Sequence, residues 1–395
     1  MAENKRPKTL RLVDRVLARL SRVTSSGNFI PEIDGLRFFA IAAVVLFHIA
    51  EHVRFHGPVH YADAPRSNIY RLCSAGFVGV ELFFAISGFI LFLPFAAHFL
   101  RGGKQPRLRQ YYFRRVTRIE PPYLIHLGIA FVIALVINDR DPLQLAPHLM
   151  ASMFYLHNLI YGMSSTLNMV AWSLEIEVQF YLLAPLLAGL YRIRHSLQRR
   201  LAWLALTMSA MAWRPCLSSP LHCSLLAYLP YFLVGFLLAD LFVTTWNRPP
   251  TATWKQDLMA TGAWLLLIPA TELDAWRQWI LPPLILIAYV GALRGRYWRQ
   301  IVSNRWLVVT GGMCYTIYLY HVFIIGLVGR VASGVMVTQL YWANFLLFLI
   351  PSTIAVLGVC AVLYLLFEKP FMYRDWPQTW RAAMVSRLAH RGVKA

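Results

Sequence analysis

Ten apolar runs constrain this chain more than anything else in it: residues 36–53, 76–98, 121–137, 172–191, 201–213, 224–246, 256–270, 278–293, 307–329 and 343–367. A helix of about 20 apolar residues crosses the roughly 30 Å of bilayer hydrocarbon. In lipid every backbone polar group must be satisfied within its own segment or a closed barrel. The runs therefore predict an all-α polytopic membrane bundle of about ten transmembrane helices. Composition agrees, with 58% hydrophobic and 14% charged residues and a mean hydropathy of +0.51, outside the range of soluble globular chains. The segment 146–163, with Pro147, His148 and Asn158, reads as an interfacial or re-entrant piece. The short run 201–213 needs extra residues at its ends or little tilt.

Basic residues test this topology. Of 38 Lys and Arg, 30 fall in the two tails and in the alternate loops 101–118, 192–200, 248–255 and 294–305. Seven lie opposite (Arg54, Arg66, Arg71, Arg140, Arg214, Arg277 and Arg330), and Arg37 lies inside the first run. Short cytoplasmic loops collect such residues, so both termini are expected in the cytoplasm. The net charge of +20 then reflects topology and attraction to anionic membrane lipids, and nucleic acid is excluded as a partner.

Residues 1–30 form a basic segment with Leu10, Val13, Leu17 and Leu20 at helical spacing, as in an amphipathic surface helix. Residues 31–370 are expected to form one membrane domain, followed by a basic tail, 371–395. Cys216 and Cys223 fall on the outer side, either as a disulfide or as two free thiols.

Depth gives the polar residues meaning, because an ionisable group inside a span is costly and marks function by default. In "EIDGLRFFAIAAVVLFHIAEH", His48 lies one turn below the outer end of the first span. Glu81, in "GVELFFAISGFI", falls at the same depth on the second span, and Glu175 and Glu177 enter from the same side on the fourth. Arg37 sits about 16 Å deeper than His48 on a helix rising 1.5 Å per residue, level with the basic run "RLRQYYFRRVTRIEPPY". A carboxylate that stabilises the imidazolium frees the other ring nitrogen to take a proton from a hydroxyl. Singly, such residues more often bond helices together; as a layered set they point to general-base catalysis. Either Glu81 or Glu177 serves as the partner, with Glu81 favoured because a short outer loop joins its span to the first. His321, among Tyr315, Tyr318 and Tyr320, lines an acceptor site or makes a structural hydrogen bond. His52, His56, His60, His148, His157 and His222 match no zinc spacing, so no metal is expected.

These residues carry a resemblance to the acyltransferase-3 family of bacterial integral-membrane O-acyltransferases, over about residues 30–370. "IDGLRFFAIAAVVLFH" resembles the family's first helix, where a basic residue precedes a histidine by the spacing of Arg37 and His48. "GVELFFAISGFI" resembles its acidic Phe-Phe…Ser-Gly motif, with Phe84, Ser87 and Gly88. "RRVTRIEPPYL" resembles its Arg-x-x-Arg element at Arg115 and Arg118, and "WSLEIEVQFYLLAPL", "CYTIYLYHVFI" and "FEKPF" resemble later signatures. The family more often has two adjacent acids before the fourth-span glutamine. Here Val178 follows Glu177, and Glu175 precedes it. Glu120 stands at a commonly aromatic position.

The resemblance implies a multi-pass enzyme of the bacterial inner membrane. Such an enzyme moves an acyl group, usually acetyl from acetyl-CoA, to a hydroxyl reached from the extracytoplasmic side. Arg37, Arg115 and Arg118 would hold the phosphates of the donor as charge-assisted partners, with Ser87 on its path. Trp172, Tyr318 and His321 would line the acceptor site. The acceptor is expected to be an exopolysaccharide, a lipopolysaccharide or a lipid-linked sugar, with a small glycoside as another option. At 395 residues the chain is expected to lack the soluble hydrolase-like domain fused to some relatives. The rival readings are a secondary transporter or flippase, since midplane charges also mark transport paths, and a non-catalytic receptor-like bundle.

Overall fold

The computed structural model describes residues 12–23, 29–57, 67–246, 253–331, 338–373 and 375–378. Leu10, His60 and most of the C-terminal tail lie outside the described residues. Among the described residues all regular structure is helical. In chain order the helices are α1 (Leu12–Leu20), α2 (Pro31–His56), α3 (Asn68–Ser74), α4 (Gly79–Arg101), α5 (Leu108–Val136), α6 (Pro142–Met153), α7 (His157–Tyr161) and α8 (Trp172–Leu187). They continue with α9 (Ser196–Trp213), α10 (Leu225–Thr244), α11 (Trp254–Ala270), α12 (Asp274–Arg294), α13 (Tyr297–Val302), α14 (Arg305–Gly312), α15 (Cys314–Val331) and α16 (Tyr341–Leu363).

Among the described residues eight helical segments are long and apolar enough to cross a membrane, two fewer than the ten runs predicted. The two that fall short are α9, whose first turns carry Arg199 and Arg200, and α11, with 17 residues. Segment 146–163 is divided between α6 and α7, of 12 and 5 residues, too short to span.

The basic loop before the third span is itself helical, a second departure. Leu108–Val136 is one helix of 29 residues with Pro121 and Pro122 inside it. Pro121 has no N–H for the carbonyl of Thr117; the indole of Trp376 donates to that oxygen instead, at 3.1 Å. The helix therefore runs on, and Arg115 and Arg118, three residues apart, share one face. The 307–329 run is also not a single helix but breaks at Met313 between α14 and α15.

Helix α2 is the hub, packed against α4, α14, α15 and α16. Close backbone approach fixes its cytoplasm-predicted end. A Cβ on Gly311 would stand 1.8 Å from the Asp34 carbonyl oxygen, and one on Gly35 1.8 Å from that of Val302. At this end Arg299 donates to Glu32 at 2.7 Å, Arg305 pairs with Asp14, and Lys369 donates to the Arg19 carbonyl. At the other end Arg71 pairs with Glu272 and Arg54 donates to Tyr70. These contacts join segments within each side assigned from charge, never across the two.

Candidate active site

Helices α2 and α4 lie side by side because small residues let them. The Cβ position of Gly79 is 2.3 Å from the Ala40 carbonyl oxygen, so a larger residue there would force the helices apart. This contact carries His48 of α2 and Glu81 of α4 into the wall of one cavity of about 340 Å³. Phe47, Phe77, Ser164, Trp172, Tyr228, Arg277 and Tyr318 line the rest.

His48 is half-buried, and its ring stands edge-on to Phe47 at 4.9 Å and 4.9 Å from the ring of His321. Nδ1 of His321 lies 2.8 Å from the Tyr318 carbonyl oxygen and 3.0 Å from that of Ile317. A carbonyl only accepts, so Nδ1 carries the proton and Nε2 is bare. That nitrogen is buried and has no partner. His321 backs His48 rather than facing the cavity, whereas Trp172 and Tyr318 are on its surface. The Tyr318 hydroxyl is tied to Ser173 and donates to the Val170 carbonyl, both at 2.6 Å.

Glu81 is 3% exposed, and its Oε2 has no hydrogen-bond partner. It shares the cavity with His48, but no hydrogen bond joins the two. Arg277 and Arg214 are the cations that act on its charge. Glu177 is placed elsewhere, accepting from Ser87 at 2.5 Å and from Tyr181 at 2.6 Å. Arg115 and Arg118 are its neighbouring cations. Ser87 thus presents its hydroxyl to Glu177. Glu175 is structural in its bonding: Oε2 accepts from the backbone N–H of Asn158 at 2.8 Å and so holds the start of α7. Glu120 accepts from Tyr155 at 2.8 Å.

Below this layer lies an arginine cluster centred on Asp34, whose Oδ1 accepts from Arg37 at 2.5 Å and from Arg22 at 2.9 Å. Arg118 also acts on Asp34. The guanidinium of Arg115 lies 3.5 Å from the Tyr111 ring centre and donates to that residue's carbonyl at 2.7 Å. Nε of Arg22 and Nε of Arg115 are buried without partners. An anionic group such as a phosphate supplies the acceptors that these N–H groups lack.

Asp34, Arg22, Tyr181, Arg214 and Arg277 were not singled out from sequence. Asp34 was legible in principle, as an acid one turn before Arg37 in a span. The two outer arginines fall between apolar runs in the sequence, and no local pattern marks them. Of the histidines noted for metal spacing, His52 and His56 stack at 4.4 Å and His148 bonds His157 at 2.9 Å. Among the described residues no three His, Cys, Asp or Glu side chains form a metal-binding group. Cys216 and Cys223 are free thiols.

In this polytopic helical bundle a histidine and a carboxylate share one cavity, and Arg37 stands toward the other end of the histidine's helix. The model of a family described as Acyltransferase domain matches residues 30–365, and the chain belongs to that acyltransferase-3 family. The O-acetyltransferase OatA of Staphylococcus aureus (strain NCTC 8325 / PS 47) is 28% identical over 170 residues, covering 41% of this chain and 25% of the relative. The peptidoglycan O-acetyltransferase OatA of Listeria monocytogenes is 27% identical over 171 residues, 40% of this chain and 24% of the relative. The putative peptidoglycan O-acetyltransferase YrhL of Bacillus subtilis is 28% identical over 185 residues, 42% of this chain and 25% of the relative. The chain thus spans about a quarter of the length of these relatives. No solved structure matches it.

Proposed function

We propose that this chain is a membrane O-acetyltransferase that moves acetyl from cytoplasmic acetyl-CoA to a hydroxyl of an extracytoplasmic glycan or glycoside. The observation that carries the reading is the shared cavity of His48 and Glu81, with Arg37 about 16 Å from His48 along the same helix and paired with Asp34 at the centre of the arginine cluster. Family membership supports the acyl transfer, and the names of the relatives support a glycan acceptor.

In this reading Arg22, Arg115 and Arg118 hold the phosphates of the donor, and Asp34 keeps Arg37 and Arg22 aligned. His48 takes the proton of the acceptor hydroxyl as its oxygen bonds to the acyl carbon. The thioester C–S bond breaks, and His48 returns the proton to the leaving thiolate. Glu81 favours the imidazolium that forms in between, as a nearby negative charge does. Trp172 and Tyr318 form the acceptor wall. Purified protein given labelled acetyl-CoA and a glycan acceptor is expected to release free CoA and label the glycan, and His48→Ala is expected to do neither. Full turnover by a folded His48→Ala protein would remove the general base from this scheme.

A further inference from the structure

We propose that the acceptor taken into the His48 cavity carries a negative charge on its sugar, a carboxylate or a phosphate, and that Arg277 is the residue that selects it. The inference rests on reading this cavity as the acceptor site and names the class of substrate.

Arg277 stands in the first turn of α12 and lines the cavity with His48, Glu81 and Trp172. Its guanidinium lies 4.9 Å from the centre of the Phe77 ring. Phe77 in turn meets Phe47, the neighbour of His48, edge to face at 6.4 Å. Among the described residues Arg277 makes no hydrogen bond and no ion pair, although a guanidinium carries five donors and stays charged. Three arginines elsewhere on the molecule show the contrast, Arg71 paired with Glu272, Arg299 with Glu32 and Arg199 with Asp240.

The charge balance points the same way. Among the described residues Glu81 is the one carboxylate lining the cavity, and two guanidiniums act on it, Arg277 and Arg214. Arg214 is held in place, 5.4 Å from the Tyr228 ring centre and 3.5 Å from the Tyr231 hydroxyl. With Glu81 ionised the group keeps one positive charge in excess. In surroundings of low dielectric that excess acts strongly on whatever enters. A planar guanidinium fork matches a carboxylate or phosphate. The facing wall is aromatic, with Trp172 and Tyr228 ring centres 5.2 Å apart, amphipathic surfaces suited to the face of a sugar. The competing use of such an arginine is to reach lipid phosphates from a helix end. The stacking on Phe77 sets Arg277 on the cavity wall instead.

The test compares wild type, Arg277→Gln and Arg277→Lys in nanodiscs of zwitterionic lipid. Methyl glucuronoside, glucose 1-phosphate and methyl glucoside serve as acceptors, and binding of each sugar without acetyl-CoA is measured in parallel. Wild type is expected to prefer the charged sugars. Arg277→Gln is expected to reduce the charged-to-neutral ratio of kcat/KM about 10- to 100-fold, with the loss in KM, and Arg277→Lys to recover part of it. Equal use of all three sugars by wild type, or an equal loss on all three in Arg277→Gln, would overturn the proposal. So would an effect seen only when anionic lipid is added. Should no sugar be acetylated, the acetyl-transfer reading fails on its own. Binding of glucuronoside or glucose 1-phosphate that disappears in Arg277→Gln would still uphold the anion site, and no preferential binding by wild type would refute it.

Discussion

Two buried carboxylates, Asp240 and Glu81, sit in opposite circumstances. Asp240 on α10 is fully buried and fully engaged. Oδ2 accepts from Arg199, Oδ1 accepts from Arg200 at 3.1 Å, and Arg199 also donates to the Ile193 carbonyl at 2.7 Å. Glu81 on α4 is as deeply placed, yet its Oε2 is bare and its neighbouring arginines stay beyond pairing distance. Burying an unpaired charge is expensive, and where Asp240 is matched by two guanidiniums, Glu81 keeps a bare oxygen at a cavity. The first arrangement holds helices together; the second leaves a carboxylate oxygen bare beside a cavity.

The largest effect is expected from His48→Ala, a loss of about 10²- to 10⁴-fold in turnover with insertion and melting unchanged, checked by acetyl-transfer kinetics beside a thermal unfolding scan. Next comes Asp240→Asn, which strands Arg199 in the bundle and should cost about 3–5 kcal/mol of stability while folded molecules keep their kcat. A melting temperature equal to wild type would show that the pair does not brace α9 against α10.

Arg115→Ala and Arg118→Ala should each raise the KM for acetyl-CoA about tenfold or more, more at low salt than at high salt because screening weakens charge contacts. An unchanged donor KM would return both arginines to a topological role.

The smallest effect belongs to the loop region. His157, outside the spans, is fully buried and donates to the Met163 carbonyl at 3.1 Å. Burial lowers its pKa below the ordinary histidine value, with His148 adding to the shift and Met163 opposing it. The unfolded chain therefore takes up a proton first, near pH 6.5. Stability from this site is present above that pH and lost as pH falls below it. Hydrogen-exchange protection factors across α6 and α7, taken against the intrinsic exchange rate at each pH, should fall between about pH 7 and 5.5. A flat profile would contradict the assignment.

Much of this was legible beforehand, and the reasons are local. Hydropathy marks spans because lipid tolerates little else, and the Arg37–His48 spacing fixes their separation because a helix rises uniformly. What escaped was set by partners distant in sequence. The third apolar run begins at residue 121, where hydropathy rises, yet Trp376, far along the chain, donates to the Thr117 carbonyl freed by Pro121 and the helix begins at Leu108. Arg277 looked like a loop cation, because only the packing of α12 against the α2 layer turns its long side chain inward. Glu81 and Glu177 shared a predicted depth, and depth alone could not show that Glu177 turns to Ser87 and Tyr181.

The contrast between open and engaged carboxylates is tested most directly by measuring kcat and melting temperature for Glu81→Gln and Asp240→Asn side by side, in the same lipid and at neutral pH. Glu81→Gln is expected to keep the melting temperature and lose most of its turnover, and Asp240→Asn to show the reverse. A Glu81→Gln protein with wild-type turnover and a lowered melting temperature would make Glu81 a structural residue and would contradict the account.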